Sequence, residues 1–261
     1  MSTSDLVDAF WQLPPIARTL SFSAGILSIL TYTGIIPFQW LYFDSYFIFQ
    51  MPPHIWRFLT AFLLTSPGLG MIMDPYFVYQ YASMLETANP KFPRKEDFLW
   101  YLTFVCSIIV LLGYPLFRPI AFLSGLIMAL CYTATQDQRG QKANFFFFTV
   151  PAQLVPYCML LFSLILSPSS LPLQLTGLFA AHLHDFLTRL WPQFGGGSNW
   201  IPTPAFMSRL IGTPRVVERD YGTAIHSNRA PSGRTTGASA GEGPLPDAWK
   251  TRGSGRRLGG E

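Results

Sequence analysis

Charge is what this 261-residue chain has least of. Asp, Glu, Lys and Arg make up 12% of it, where soluble domains carry about 25%. That shortage excludes both an ordinary cytosolic enzyme and a charged, disordered chain. Cysteine is also scarce. Cys106, Cys131 and Cys158 all fall inside apolar runs, an odd number that offers no disulfide framework, and no Cys/His spacing suggests zinc. Neither a metal nor a cofactor is expected. The first residues carry Asp5 and Asp8 where a secretory signal needs basic residues, and no short apolar core with a cleavage site follows. The first apolar run is therefore expected to be an uncleaved anchor.

What is present is apolar: 49% of the residues are hydrophobic and 16% aromatic. The charge is unevenly spread. Residues 1–191 hold nine Lys/Arg and nine Asp/Glu, while residues 192–261 hold nine and five, so the whole net charge of +4 lies in the last quarter. The first part reads as a multi-span membrane domain and the rest as a solvated, cytosolic tail.

Uncharged or nearly uncharged runs predict six transmembrane helices, at residues 19–36, 69–85, 98–116, 119–134, 144–166 and 171–187. The fifth contains Pro151 and Pro156, which predict kinks. Residues 37–67 are rich in aromatics but broken by Asp44, Pro52, Pro53, His54 and Arg57, so they read as a membrane-associated loop with interfacial anchors. Six spans put both termini on one side. That side also carries Lys91, Arg94, Lys95, Arg139 and Lys142, against Arg57 and Arg118 opposite, which places both termini in the cytosol. Several spans are short: about 25 Å of helix against a hydrocarbon core of about 30 Å requires a thinned or thin bilayer. In the tail, Gly and Pro supply 20 of 70 residues, so residues 192–261 are expected to be largely disordered.

Five stretches carry a resemblance. They are Leu13-Pro14-Pro15-Ile16-Ala17-Arg18; Ile55-Trp56-Arg57 with the Phe, Leu and Thr that follow; Tyr76 to Tyr81 followed by Leu85-Glu86-Thr87; Pro204-Ala205-Phe206; and the last dozen residues. In this order they resemble the Derlin family, rhomboid-superfamily pseudoproteases of the endoplasmic reticulum (ER), over about residues 10–210 and again at the end of the chain. The resemblance implies an all-α, six-helix, rhomboid-like membrane fold. It implies a non-enzymatic role in ER-associated degradation, in which misfolded lumenal or membrane proteins are retrotranslocated to the cytosol. Its expected partners are an AAA segregase of the valosin-containing-protein type, an ER ubiquitin ligase complex, misfolded client polypeptides, membrane lipids and further Derlin copies as homo- or hetero-oligomers. No nucleic-acid partner is expected.

Specific residues follow from this match. Trp56 and Arg57 read as ordinary interfacial anchors alone; with the resemblance they become a required loop motif. Gly177 and Ala181 form a small-xxx-small step in the sixth span, where close helix packing is favoured. Asp74 and Gln80 are candidates for lining a polar cavity, as is His182. His184 and Asp185 are expected to reach the cytosolic interface near Arg189.

Ala181-His182 resembles the active-site Ala-His of rhomboid proteases, and Ser124-Gly125 occupies a place comparable to the nucleophile. A serine needs a base within hydrogen-bond reach and donors for the oxyanion. The supporting motif is incomplete: Phe122 stands where the family has Gly, Gly70 and Asp74 replace the oxyanion-supporting pair, and Met128 replaces the aromatic that stacks on the histidine. A carboxylate there would repel a developing oxyanion. An active intramembrane serine protease using Ser124 and His182 is the rival reading. A lipid or small-molecule transporter is a third, disfavoured by the lack of paired repeats and of several buried charges.

At the end of the chain, Gly253, Gly255, Arg256, Arg257 and Leu258, with Trp249 before them, resemble the family's segregase-binding motif. The glycines permit close backbone approach, Leu258 fills an apolar pocket and the arginines pair with an acidic groove. The mechanism implied is a loop and short helices that thin the bilayer, a lateral opening near spans two and six, and a tail that recruits the pulling ATPase.

Overall fold

Prolines set where the first helices begin. Helix α1 (Thr3–Gln12) is separated from α2 (Pro15–Tyr32) by Pro14, and Pro15 opens α2, where its missing N–H is no loss. The amides of Ile16 and Ala17 both donate to Glu86 Oε2, at 3.0 and 2.9 Å, across 70 residues of chain. A carboxylate at a helix N-terminus satisfies orphan donors and complements the dipole. Two of the stretches read separately in the sequence, around Pro15 and around Glu86, therefore meet as one cap. Arg18 binds the carbonyls of Phe10 and Trp11 and lies over both rings, which holds α1 to α2.

The computed structural model describes residues 3–44, 46, 54–87, 89–138, 140–145, 148–195, 197–211, 215–219 and 222–226. Within 1–213, a contact-dense unit, the following elements come after α2: α3 (Trp56–Thr60), α4 (Gly70–Thr87), α5 (Lys95–Phe117), α6 (Leu123–Gln136), a hairpin of β1 (Lys142–Phe145) and β2 (Phe148–Pro151), α7 (Val155–Leu166), α8 (Leu171–Asp185), α9 (Trp191–Phe194) and α10 (Ala205–Ile211). A π-helical turn at Phe186–Leu190 joins α8 to α9. The chain is mostly helical.

Helix α6 is the centre. Apart from the half-buried Ser124, every residue from Leu123 to Thr135 is buried, and α4, α5, α7 and α8 pack around it. Helix α2 packs on α4, where Gly25 leaves room for the Pro75 ring and Ser21 donates to the Pro75 carbonyl at 2.6 Å. Large apolar side chains also face outward: Phe22, Ile26 and Ile29 on α2, Ile72 and Tyr76 on α4, Leu161 and Ile165 on α7. A surface with so much exposed apolar area needs a covering.

Three differences from the sequence reading have physical causes. The fifth run is not helical over 144–166. Residues 142–145 pair with 148–151 as an antiparallel hairpin, Asn144 opposite Thr149, because Phe, Thr and Val favour strands and Pro151 cannot donate to a helix. Pro156 then sits in the first turn of α7 and causes no kink. The helix left is 12 residues, about 18 Å. Second, among the described residues one helix is long and apolar enough to cross a membrane on length and composition, Lys95–Phe117. Third, the composition boundary at residue 191 falls inside the first unit. Thr203 donates to Asp97 at 2.7 Å, Phe206 meets Trp100 edge-on and Met207 is buried, so α10 docks on α5.

The second unit covers 214–261. In it β3 (Arg215–Arg219) and β4 (Gly222–His226) form an antiparallel hairpin, a local order that composition did not predict. Trp249, Gly253, Gly255, Arg256, Arg257 and Leu258 lie outside the described residues, as do Pro52, Pro53 and Arg139.

Candidate functional site

The loop after α2 is held by an arginine. Arg57 is 3% exposed; its Nη1 donates to the Tyr42 carbonyl at 3.0 Å, its Nε to His54 Nδ1 at 3.3 Å, and its guanidinium lies over the Tyr42 ring. Thr60 donates to the Leu41 carbonyl, and Phe43 packs on Phe58, Tyr114 and Phe122. The two limbs of the loop are thus clamped together and onto α5 and α6. Trp56 is half-exposed and stacks on His54 at 4.5 Å, so the two motif residues divide the work: Arg57 faces inward and Trp56 outward. His54 is a participant that the sequence reading treated only as a break in the run.

Helices α4 and α7 share no packed seam. Side chains fill part of the gap. Phe145 of the hairpin stacks on Phe77 of α4 (6.5 Å, 11°) and meets Phe162 of α7 edge-on (6.2 Å). This aromatic bridge divides two cavities. At the Gly70 end of α4, a cavity of about 270 Å³ is lined by Asp74, Ser124, Ser163 and Gln174 among others. At the Thr87 end, a cavity of about 710 Å³ is lined by Gln80, Thr135, Gln138 and Gln141 among others. Asp74 and Gln80 therefore line different cavities, and His182 lines neither. The gap falls between α4 and α7, in the second and fifth runs, where the hairpin shortens α7.

Asp74 Oδ2 accepts the Ser66 N–H at 2.8 Å, which ties the end of the loop to the start of α4. A Cβ on Gly70 would fall 2.6 Å from Ser66 Cβ, so only glycine permits this turn. The cavity brings together Ser124, Gly70 and Asp74, three of the positions weighed for catalysis. It does not bring His182. Tyr132 Oη and His182 Nδ1 are hydrogen-bonded at 2.8 Å, and Tyr132 lies eight residues beyond Ser124 on α6, about 12 Å along the axis. Among the described residues no hydrogen bond joins Ser124 to His182 or to Asp74. In this structure the histidine is thus bonded to a tyrosine two turns from the serine, not to the serine itself.

Gly177 sits at the crossing of α6 and α8, where an added Cβ would collide with the Gly125 carbonyl; Ala181, one turn on, is buried. Ser124-Gly125 thus has a packing role through its glycine.

Opposite the loop, four charges close a ring. Lys91 Nζ binds Asp137 Oδ2 at 2.8 Å and Asp185 Oδ1 at 3.0 Å, and Arg189 binds Asp137 at 2.8 Å and Asp185 at 3.2 Å. The ring joins the α4–α5 connector to the ends of α6 and α8. Burial works against ionisation of Asp137, but the hydrogen bonds from Lys91 and Arg189 outweigh it and hold its carboxyl below the usual range. The bond to Asp137 raises Arg189 in turn. Asp185 reaches Arg189 as expected, while His184 turns inward against Tyr101 and Phe104. Each charge was visible in the sequence; their closure was not, since the partners lie 46 to 94 residues apart except for Asp185 and Arg189.

Apolar side chains facing outward around buried polar clusters suit a helical membrane protein. The chain belongs to the Der1-like family, whose model matches residues 13–205. It is 30% identical over 232 residues to Derlin-1 of Mus musculus, covering 87% of this chain and 90% of that one. It is 29% identical over 218 residues to Derlin-2.1 of Zea mays, covering 79% and 86%. It is 26% identical over 220 residues to a probable derlin-1 homolog of Dictyostelium discoideum, covering 81% and 88%. Membership carries the family's setting with it, the endoplasmic reticulum membrane and ER-associated degradation.

Proposed function

We propose that this chain is a non-enzymatic, rhomboid-like component of ER-associated degradation that helps misfolded polypeptides cross to the cytosol. The observation that carries the reading is the divided cleft between α4 and α7: polar at both ends, bridged by Phe145, and flanked by outward-facing Ile72, Tyr76, Leu161 and Ile165. A client segment would enter sideways from lipid. All six apolar runs take part in the membrane domain, with both termini cytosolic, the Gly70 end lumenal and the charge ring cytosolic. Helix α7, at about 18 Å, is too short for an unperturbed bilayer of about 30 Å, which favours local thinning.

The separation of His182 from Ser124 supports movement of the client without cleavage. Gly253, Gly255 and Leu258 of the tail recruit the AAA segregase, with Arg256 and Arg257 adding charge pairing, and an ER ubiquitin ligase marks the client. The test locks the cleft. In cells lacking the endogenous protein, a bifunctional maleimide joining Met73→Cys to Phe162→Cys should block loss of a misfolded single-span client that either single variant restores. Undiminished turnover in the cross-linked protein refutes the lateral route.

A further inference from the structure

The cavity at the Gly70 end is rich in hydrogen-bond acceptors. Five of its lining residues are serines, and beside them stand the Asp74 carboxylate and the Gln174 amide; no Lys, Arg or His lines it among the described residues. Gln174 is 7% exposed. Its Nε2 donates to Ser163 Oγ at 2.8 Å, while its buried Oε1 has no hydrogen-bond partner. An acceptor left in that state is costly unless a donor arrives. Asp74 Oδ2 is engaged by the Ser66 amide, an uncharged donor, and none of the ion pairs among the described residues includes Asp74.

We infer that this cavity is a binding site for a cationic side chain, Lys or Arg, carried on an otherwise apolar client segment, with Asp74 supplying the counter-charge and Gln174 Oε1 a further acceptor. The inference rests on the retrotranslocation reading and names the client feature that the cleft selects. A lysine in a membrane span is expensive to keep among lipid tails. Passing beside an acceptor-lined cavity bounded by α4, α6, α7 and α8 relieves that cost, and a segment without the charge gains nothing. The same lining disfavours a zwitterionic lipid headgroup, because its phosphate would meet serines and a carboxylate but no cation. A client carboxylate would be repelled by Asp74.

The test uses the full-length protein in cells lacking the endogenous one. Three single-span clients differ only in bearing Lys, Leu or Glu in the lumenal third of the span. Wild type should clear the Lys client roughly five- to tenfold faster than the Leu client, with Glu slowest. Asp74→Asn keeps an oxygen acceptor for the Ser66 amide and should reduce the Lys/Leu ratio to one. Adding Gln174→Glu to Asp74→Asn should restore the preference by moving the charge across the cavity, a rescue that a purely structural role for Asp74 does not produce. Equal clearance of Lys and Leu clients by wild type, or a preference that survives Asp74→Asn, overturns the inference. So does an absent preference with an ethanolamine lipid that co-purifies with wild type and is lost in Asp74→Asn, which would assign the cavity to a headgroup. Failure to clear any of the three refutes the retrotranslocation reading itself, and the client preference with it.

Discussion

Replacing Gly177 with Ala adds one carbon at the point where α6 and α8 touch. That carbon would fall on the Gly125 carbonyl, so the obstacle is backbone on both sides and no rotamer relieves it. The helices must part. Overpacking of this kind costs about 2–3 kcal/mol, the upper part of its usual range, and the better helix propensity of Ala returns about 1 kcal/mol. The net loss is about 1–2 kcal/mol. For a domain of this size that lowers the melting temperature by about 2–8 °C. Gly25→Ala is the matched control: its Cβ would lie 3.8 Å from Pro75 Cγ, an ordinary contact, so it should stabilise by about 0.5–1 kcal/mol. Unfolding of the purified protein in detergent can be followed with a thiol-reactive dye, since Cys131 is fully buried. If Gly177→Ala melts at or above the wild-type temperature while Gly25→Ala behaves as expected, the two helices do not meet at this glycine.

Glu86→Ala removes the acceptor for the Ile16 and Ala17 amides and should cost about 1–2 kcal/mol, with Glu86→Gln intermediate, both read in the same melting assay. Arg57→Ala should remove the hydrogen bond to the Tyr42 carbonyl, cost about 1–3 kcal/mol and slow client loss in a chase. Arg57→Lys, which cannot reach both Tyr42 and His54 with one ammonium, should rescue little. Because the Asp137 carboxyl is held below its ordinary range, its contribution to stability is present above the unfolded value near about 3.9. It is lost as pH falls through the lower folded value. Asp137→Asn should therefore flatten the acid limb of the melting curve below about pH 4 and lose the ring's contribution at neutral pH.

The helices that were legible in the sequence are those whose apolar runs stand between charged or Gly/Pro-rich connectors: α2, α4, α5, α6 and α8 all overlap the predicted spans. The hairpin was not legible. The run from Asn144 to Val150 is as hydrophobic in a strand as in a helix, and hydropathy cannot tell them apart. Only the pairing of Asn144 with Thr149 settles it. The cap on α2 was invisible for a different reason: Glu86 looks like any polar residue at the end of a span until α2 and α4 are placed side by side. Trp56, Arg57 and Asp74 were found by residue type in an unusual setting, but their partners, Tyr42, His54 and Ser66, carry no signal of their own. His182 was singled out by its neighbour Ala181. Its actual partner, Tyr132, follows from the register of α6 against α8, which the crossing at Gly125 and Gly177 determines.

The central claim is that the chain moves its client without cutting it. In cells lacking the endogenous protein, wild type and Ser124→Ala are compared by following a misfolded membrane client through a chase and resolving it on a gel. Equal restoration of client loss by both proteins, with no discrete fragment at any time, is the predicted result. A cut fragment produced by wild type, with the client left intact by Ser124→Ala, would make Ser124 a working nucleophile and contradict the account.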